Sequence, residues 1–230
     1  GETGGWRRAF PEEFDWRATR GHDFLFPVAE QGDCGACFAQ ATVDMIQTRV
    51  AIASNDSLRV PLSVQQVLAC NGYSQGCGGG LPILAAKFAF EQGLVPEACL
   101  PYRAHTSLCP ASLRPDASQG SFLTTGGVGG VCGERRRVQE YGYVGGWYGA
   151  ATEQNMMAAI LHRGPIVVGI EAHADLLHYS GGVYSPKLAL TPPEDAAALL
   201  QRFPHWAPWL EYEATNHAVL CVGWGVTEGG

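Results

Sequence analysis

The chain has 230 residues, 46% hydrophobic and 16% charged, a balance that fits a globular protein with a sizeable core and not a disordered one. Its 22 acidic and 15 basic residues give a net charge of −7 with no basic stripe, which argues against nucleic acid and anionic membrane surfaces as partners. No run approaches the ~18 apolar residues of a membrane span.

The N-terminal stretch GETGGWRRAFPEEFDW lacks the apolar core of a signal peptide, so the chain reads as cytosolic or as having lost an upstream region. Eight cysteines, at 34, 37, 70, 77, 99, 109, 132 and 221, are many for a cytosolic protein and favour an oxidising compartment. The sequon Asn55-Asp56-Ser57, in a polar loop, is compatible with glycosylation there.

Residues 1–33 form a polar, turn-rich lead-in. From Cys37 the residues Phe38, Ala41, Met45, Ile46 and Val50 recur at helical spacing until Asn55 and Asp56 interrupt them, which places Cys37 at a helix start. In LSVQQVLAC, Ser63 followed three places later by Gln66 is a capping-box signal for a short second helix. LPILAAKFAFEQG predicts a third, with Pro82 in its first turn and Gly93 as its stop. Residues 103–150, rich in Gly, Ser and Pro, read as a long loop, pinned by Cys109 and Cys132 if those are bridged.

A fourth helix fits Glu153–Arg163, with Thr152 as cap and Gly164-Pro165 as stop. PIVVGIEA and HAVLCVGWG are short, apolar and β-rich, the pattern of strands buried on both faces. Between them, residues 191–213 carry several prolines and close-set aromatics, an insertion that either packs on itself or faces a partner. A helical first half and a strand-rich second half read as an α+β fold of two packed lobes.

The stretch QGDCGACF puts Cys34 and Cys37 three apart, and three chemistries compete for the pair. A structural zinc site needs four ligands, but Cys70 and Cys77 are seven apart and no closely spaced His pair follows. A redox couple at a helix start suits disulfide exchange, yet such pairs follow a central strand, and VAEQGD is short and polar. A nucleophilic cysteine needs an imidazole and donors for an oxyanion. Cys37, at a helix N-terminus, has a dipole that favours a thiolate, and the Gln31 amide could fold back as a donor.

Seven histidines compete for the imidazole role, at 22, 105, 162, 173, 178, 205 and 217. Most sit in polar or loop surroundings, where a solvated surface residue is the default. His162 is accounted for by a helix C-terminus. His217 differs because it opens the apolar HAVLCVGWG after the polar ATN, at the mouth of a strand.

Taken in order, QGDCGACFA, LSVQQVLAC, GCGGG and NHAVLCVGWG resemble the papain family of cysteine peptidases. GLVPEACLPY, YVGGWYGA and HRGPIVVGIEAHADLLHYSGGVY look like its cathepsin C, or dipeptidyl peptidase I, branch, and the resemblance covers about residues 10–225. It implies a two-lobed α+β fold, with a helical lobe over about 10–125 and a β-barrel-like lobe over about 140–230. It also implies Cys37 as nucleophile, His217 as general base and acid, and Gln31 with the Cys37 N–H as oxyanion hole. Gly79 and Gly80 match the positions whose backbone binds an extended substrate, and Leu81, Pro82, Ile83 and Ala218 match the surroundings of the pocket for its second side chain. The implied bridges are Cys34–Cys77, Cys70–Cys109 and Cys99–Cys132, leaving Cys221 as an unpaired thiol in a strand.

The activity implied is release of dipeptides from free N-termini of peptides or proteins in a secreted or lysosome-like acidic setting. An endopeptidase and an inactive papain-like binding protein are the alternatives. No cofactor is implied beyond the branch's chloride, which takes two tyrosines; Tyr143 matches one and Ile83 stands in place of the other. The family's asparagine that orients the histidine follows the His strand and is not reached by Gly230, so the resemblance implies a further C-terminal chain from the same precursor. An exclusion domain from that precursor is the other implied partner, with room for a homo-oligomer. Ala36 and Phe38 replace the family's usual Ser and Trp or Tyr with little change in size.

Overall fold

The computed structural model describes residues 10–114, 132, 134–185 and 215–226. The insertion at 191–213 and the middle of the 103–150 loop lie outside them. Among the described residues the order is β1 (Phe14–Asp15), α1 (Cys37–Ala53), α2 (Val64–Cys70), α3 (Pro82–Gln92), α4 (Glu153–Arg163), β2 (Ile166–Ile170), β3 (His217–Cys221) and β4 (Gly223–Trp224).

Helix α1 is buried over most of its circumference, and Thr42 and Gln47 bond inward from it while Thr48 Oγ1 is buried without a partner. Thr42 donates through Oγ1 to the Phe38 carbonyl one turn back at 2.7 Å, which satisfies a hydroxyl that is 1% exposed. The helix stops before Asn55 and Asp56, both left-handed at φ of 48° and 64°. Phe38, Val43, Val67, Leu68, Phe88 and Leu94 join α1, α2 and α3 in a first core.

The caps show which sequence signals were local. On α2, Ser63 Oγ accepts from the Gln66 N–H at 3.0 Å, but the reciprocal half of the capping box is not made. The Gln66 side chain is fully buried, so both ends of its amide must be satisfied inside. It accepts from Val95 N at 2.8 Å and donates to Gly93 O at 3.1 Å, while Ser63 N donates to Val95 O at 2.9 Å. Gly93 ends α3 at φ +71°, and Arg135 and Arg137 donate to the last-turn carbonyls of Gln92 and Glu91. Thr152 Oγ1 accepts from Asn155 N at 3.2 Å to cap α4, and Gly164, at φ +97°, closes it.

A second core gathers Trp16, Phe24, Ile160 and Ile166, with Phe14, Val168, Cys221 and Trp224 packed on it. The Trp16 indole N–H donates to Ile160 O at 2.9 Å, tying the lead-in to α4. Strands β1 and β4 pair antiparallel with Phe14 opposite Trp224, and β2 pairs with β3. The expected burial on both faces is not found for β2 and β3. Only Ile166 and Ala218 are buried in them, and each sheet has two strands among the described residues.

By its contacts the chain parts into two units, one holding the residues up to 168 and those from 219 on, the other residues 169–218. No helix among the described residues is long and apolar enough to cross a membrane.

Asp44 on α1 offers a direct test of the helical core. Burial pushes its carboxyl up to about 6, against the opposing effect of the Gln47 amide, which donates to Oδ1 at 2.7 Å. The folded value lies above the ordinary 3.8, so ionisation costs stability that is intact below about pH 4 and lost as pH rises through about 6. Asp44→Asn, which keeps the acceptor for Gln47, should therefore stabilise the fold at pH 7.5 by up to about 3 kcal/mol. Urea unfolding should show that gain shrinking toward zero at pH 4.

Candidate active site

The start of α1 is held by the Cys34–Cys77 bridge. Between the two cysteines of CGAC, Gly35 donates its N–H to Cys77 O at 3.0 Å, and a Cβ on Gly35 would lie 2.7 Å from that same oxygen. Glycine is thus required by the approach of two backbones. The bridge commits the Cys34 sulfur, so Cys34 and Cys37 are one structural and one free cysteine, not a couple. The structure also joins Cys70 to Cys109 and Cys99 to Cys132, the same pairs the resemblance implies.

Cys37 is the first residue of α1, free and half-buried. The preceding Ala36 supplies no side-chain cap, and the first turn holds no acidic residue. The positive end of the helix dipole is therefore not neutralised by the helix's own side chains, which suits an anionic sulfur.

Gln31 sits beside this turn. Its Nε2 donates to Cys34 O at 2.5 Å, and the same carbonyl accepts from Ala36 N at 2.7 Å. One N–H of the carboxamide is used in that way; the amide has a second. The Gln31 carbonyl accepts from the Tyr102 hydroxyl at 2.6 Å. Tyr102 closes GLVPEACLPY, one of the stretches that carry the resemblance, but no spacing or period ties it to Gln31, 71 positions away.

The two glycines of GCGGG differ. Gly79 has φ of +108° and open space where a side chain would stand, while its N–H donates to Gly76 O at 3.2 Å and its carbonyl accepts from Gln75 N at 2.9 Å, so its main chain is committed to the turn. Gly80 instead has the Phe38 ring 2.7 Å from where a Cβ would be, so packing on α1 requires that glycine. Leu81 is 59% exposed at the cap of α3, followed by Pro82 and the half-buried Ile83.

His217 and Ala218 open β3 in the smaller unit. Just before them Asn216 is bonded three times: its N–H donates to Ile170 O at 3.1 Å, its Oδ1 accepts from Ala172 N at 2.7 Å, and its Nδ2 donates to Ala172 O at 3.0 Å. That bracket fixes the backbone from which the half-buried His217 ring projects. Cys221 is unpaired, half-buried rather than buried, and burial pushes its thiol up.

The remaining candidates are scattered. Asn55 lies exposed in the turn after α1. Tyr143 is 43% exposed with its ring edge-on to Tyr148, and Ile83 carries no donor, so the two do not make a two-phenol anion site. Among the described residues no three His, Cys, Asp or Glu side chains gather closely enough to hold a metal ion. A broad hollow lies along β1 and β4, lined by Glu13, Phe14, Asp15, Ala18, Thr19 and Trp224, and it holds no nucleophile.

The family model for "Papain family cysteine protease" matches residues 10–200. The chain belongs to that family. The match takes in Gln31, Cys37 and Gly79–Gly80 and ends before His217. Among curated relatives of this papain-family chain, cathepsin C of Schistosoma mansoni is 32% identical over 220 residues, covering 94% of the chain and 42% of the relative. Dipeptidyl aminopeptidase 1 of Plasmodium falciparum is 27% identical over 278 residues, covering 95% and 38%. The chain thus spans about two-fifths of the length of these relatives. Among solved structures, the Carica candamarcensis cysteine protease CMS1MS2, in complex with E-64, superposes with a TM-score of 0.67 at 23% identity, covering 94% of this chain and 78% of that one. That likeness confirms the α+β papain-like fold.

Because Gly35 has no room for a methyl group against Cys77 O, Gly35→Ala should cost about 1–3 kcal/mol. Calorimetry should register this as a fall in Tm of several degrees.

Proposed function

We propose that this chain carries the nucleophile and the imidazole of a cysteine exopeptidase that releases dipeptides from free N-termini. The observation that supports it most is the free Cys37 at an uncapped, unneutralised helix start, with the Gln31 carboxamide fixed beside the same turn. The dipeptidyl character rests on the similarity to cathepsin C and dipeptidyl aminopeptidase 1.

In this reading Cys37 thiolate attacks the substrate carbonyl, and the negative oxygen is stabilised by the second N–H of Gln31 and the backbone N–H of Cys37. His217 protonates the leaving amine and then takes a proton from the water that cleaves the thioester. The Gly79–Gly80 stretch receives an extended substrate by main-chain hydrogen bonds, through Gly80 because Gly79 spends its own N–H and carbonyl within the turn, and the exposed Leu81 follows along the chain. An exclusion domain is the partner in this reading, beside a helical lobe over about 10–125 and a strand-rich lobe over about 140–230. The three bridges suit a secretory or lysosome-like compartment, where the exposed Asn55 would be open to glycosylation.

Mass spectrometry of the intact protein after treatment with a peptide-like epoxide should find one adduct, on Cys37, absent from Cys37→Ala. The same substitution should lower turnover by at least about 10⁴-fold. Dipeptide reporters with a free amine should be cleaved and their N-acetylated counterparts spared. Equal cleavage of both would make the protein an endopeptidase, and an unlabelled folded protein would leave an inactive binding fold.

A further inference from the structure

Gln31 lies in an irregular segment, 23–33, which forms no helix or strand; beyond Phe24 N to Trp16 O and Leu25 N to Asp23 Oδ1, its ties come from side chains elsewhere. Arg59 donates to the carbonyls of Asp23 and Leu25 at its far end. Near the site, Gln40 reaches Glu30 O at a long 3.4 Å, while the Tyr102 hydroxyl reaches Gln31 O at 2.6 Å. The next residue, Gly32, has φ of +64°, a conformation with little side-chain steric resistance to rotation. Gln31 therefore has two firm ties, its amide to Cys34 O and its backbone to Tyr102.

Tyr102 is itself immobilised. Its N–H donates to Glu97 Oε1 at 2.6 Å, and Glu97 N donates to Pro61 O at 2.8 Å. The next residue, Arg103, donates its N–H to Oε1 of the buried Gln65 at 2.9 Å. The ring packs against the first core. Burial also pushes the Tyr102 phenol up, so it stays protonated and remains a donor at any working pH.

We propose that Tyr102 is a positioning residue for the reaction: its hydroxyl, braced by Glu97 and the first core, fixes the backbone of Gln31 so that the carboxamide donor meets the developing oxyanion. This rests on the oxyanion role given to Gln31 above. A displacement of about 1 Å in such a donor costs rate without weakening substrate binding much. Tyr102→Phe keeps the ring in the core and removes only the tie.

The test compares Tyr102→Phe, Gln31→Ala and the double variant in the intact protein, with three readouts: kcat and KM on a peptide reporter, affinity for a peptide aldehyde, and the rate of alkylation by a peptide epoxide. The aldehyde reports the oxyanion site, because the Cys37 sulfur bonds to its carbonyl carbon and the carbonyl oxygen takes up the proton. Epoxide opening makes no tetrahedral centre at a carbonyl. Tyr102→Phe should lower kcat and aldehyde affinity about 10-fold each, leave KM within about two-fold and leave the epoxide rate unchanged. It should add nothing further in the Gln31→Ala background. An unchanged kcat, a parallel fall in the epoxide rate, or an undiminished loss in that background would overturn the proposal. Full activity in Gln31→Ala would instead sink the oxyanion role of Gln31, and the role of Tyr102 with it.

Discussion

The approach of the Gly35 backbone to that of Cys77 is the constraint on which the site depends. Two chain segments, one leading into α1 and one leading into the Gly79–Gly80 turn, are joined there by a hydrogen bond and a disulfide within one residue of each other. The carbonyl of Cys34, fixed by that junction, is also the acceptor that orients the Gln31 amide. The free Cys37, the Gln31 carboxamide and the Gly79–Gly80 turn thus share one anchor. The local cost is steric, because only glycine fits between the cysteines.

Behind that anchor the helical core is braced by polar groups as much as by apolar ones. Gln47 donates to Asp44 and accepts from Leu62 N; Gln65 donates to His105 O and accepts from Arg103 N; Gln66 spans Gly93 and Val95. Each carboxamide uses both of its ends, which is what allows side chains at 0–6% exposure to be polar. Such networks fix irregular segments that have no ladder or helix of their own, and residues 100–105 are the clearest case. The Asp44 carboxyl weakens the core, since burial outweighs its one amide donor, and Thr48 Oγ1, Asn71 Nδ2 and Glu97 Oε2 are buried without a partner.

What could be read from the sequence was whatever is decided locally. Thr152 bonds three residues ahead, Gly164 and Gly93 adopt the turn that ends a helix, and the spacing of Phe38, Ala41 and Ile46 marks a helix face, so the helices were legible to within a residue or two. The motif order gave the family. Features set by distant partners were not legible from spacing alone. Gln66 carries the capping-box pattern, yet its amide is taken by Val95, 29 positions on. Gly79 and Gly80 look alike in sequence and differ because the Phe38 ring lies over only one of them. The tie from Tyr102 to Gln31 has no pattern at all, since a single hydroxyl reaching a carbonyl leaves no periodicity behind.

The Cys34–Cys77 bridge has one more consequence. A thiol three residues from a reactive thiol at the same helix start would be well placed to capture it in a dithiol oxidation, removing the nucleophile as soon as conditions became oxidising. With its sulfur bonded to Cys77 and only 7% of its surface exposed, Cys34 cannot act as that partner. The bridge therefore serves as a protecting group in the synthetic chemist's sense, masking one sulfur so that Cys37 stays a free thiol.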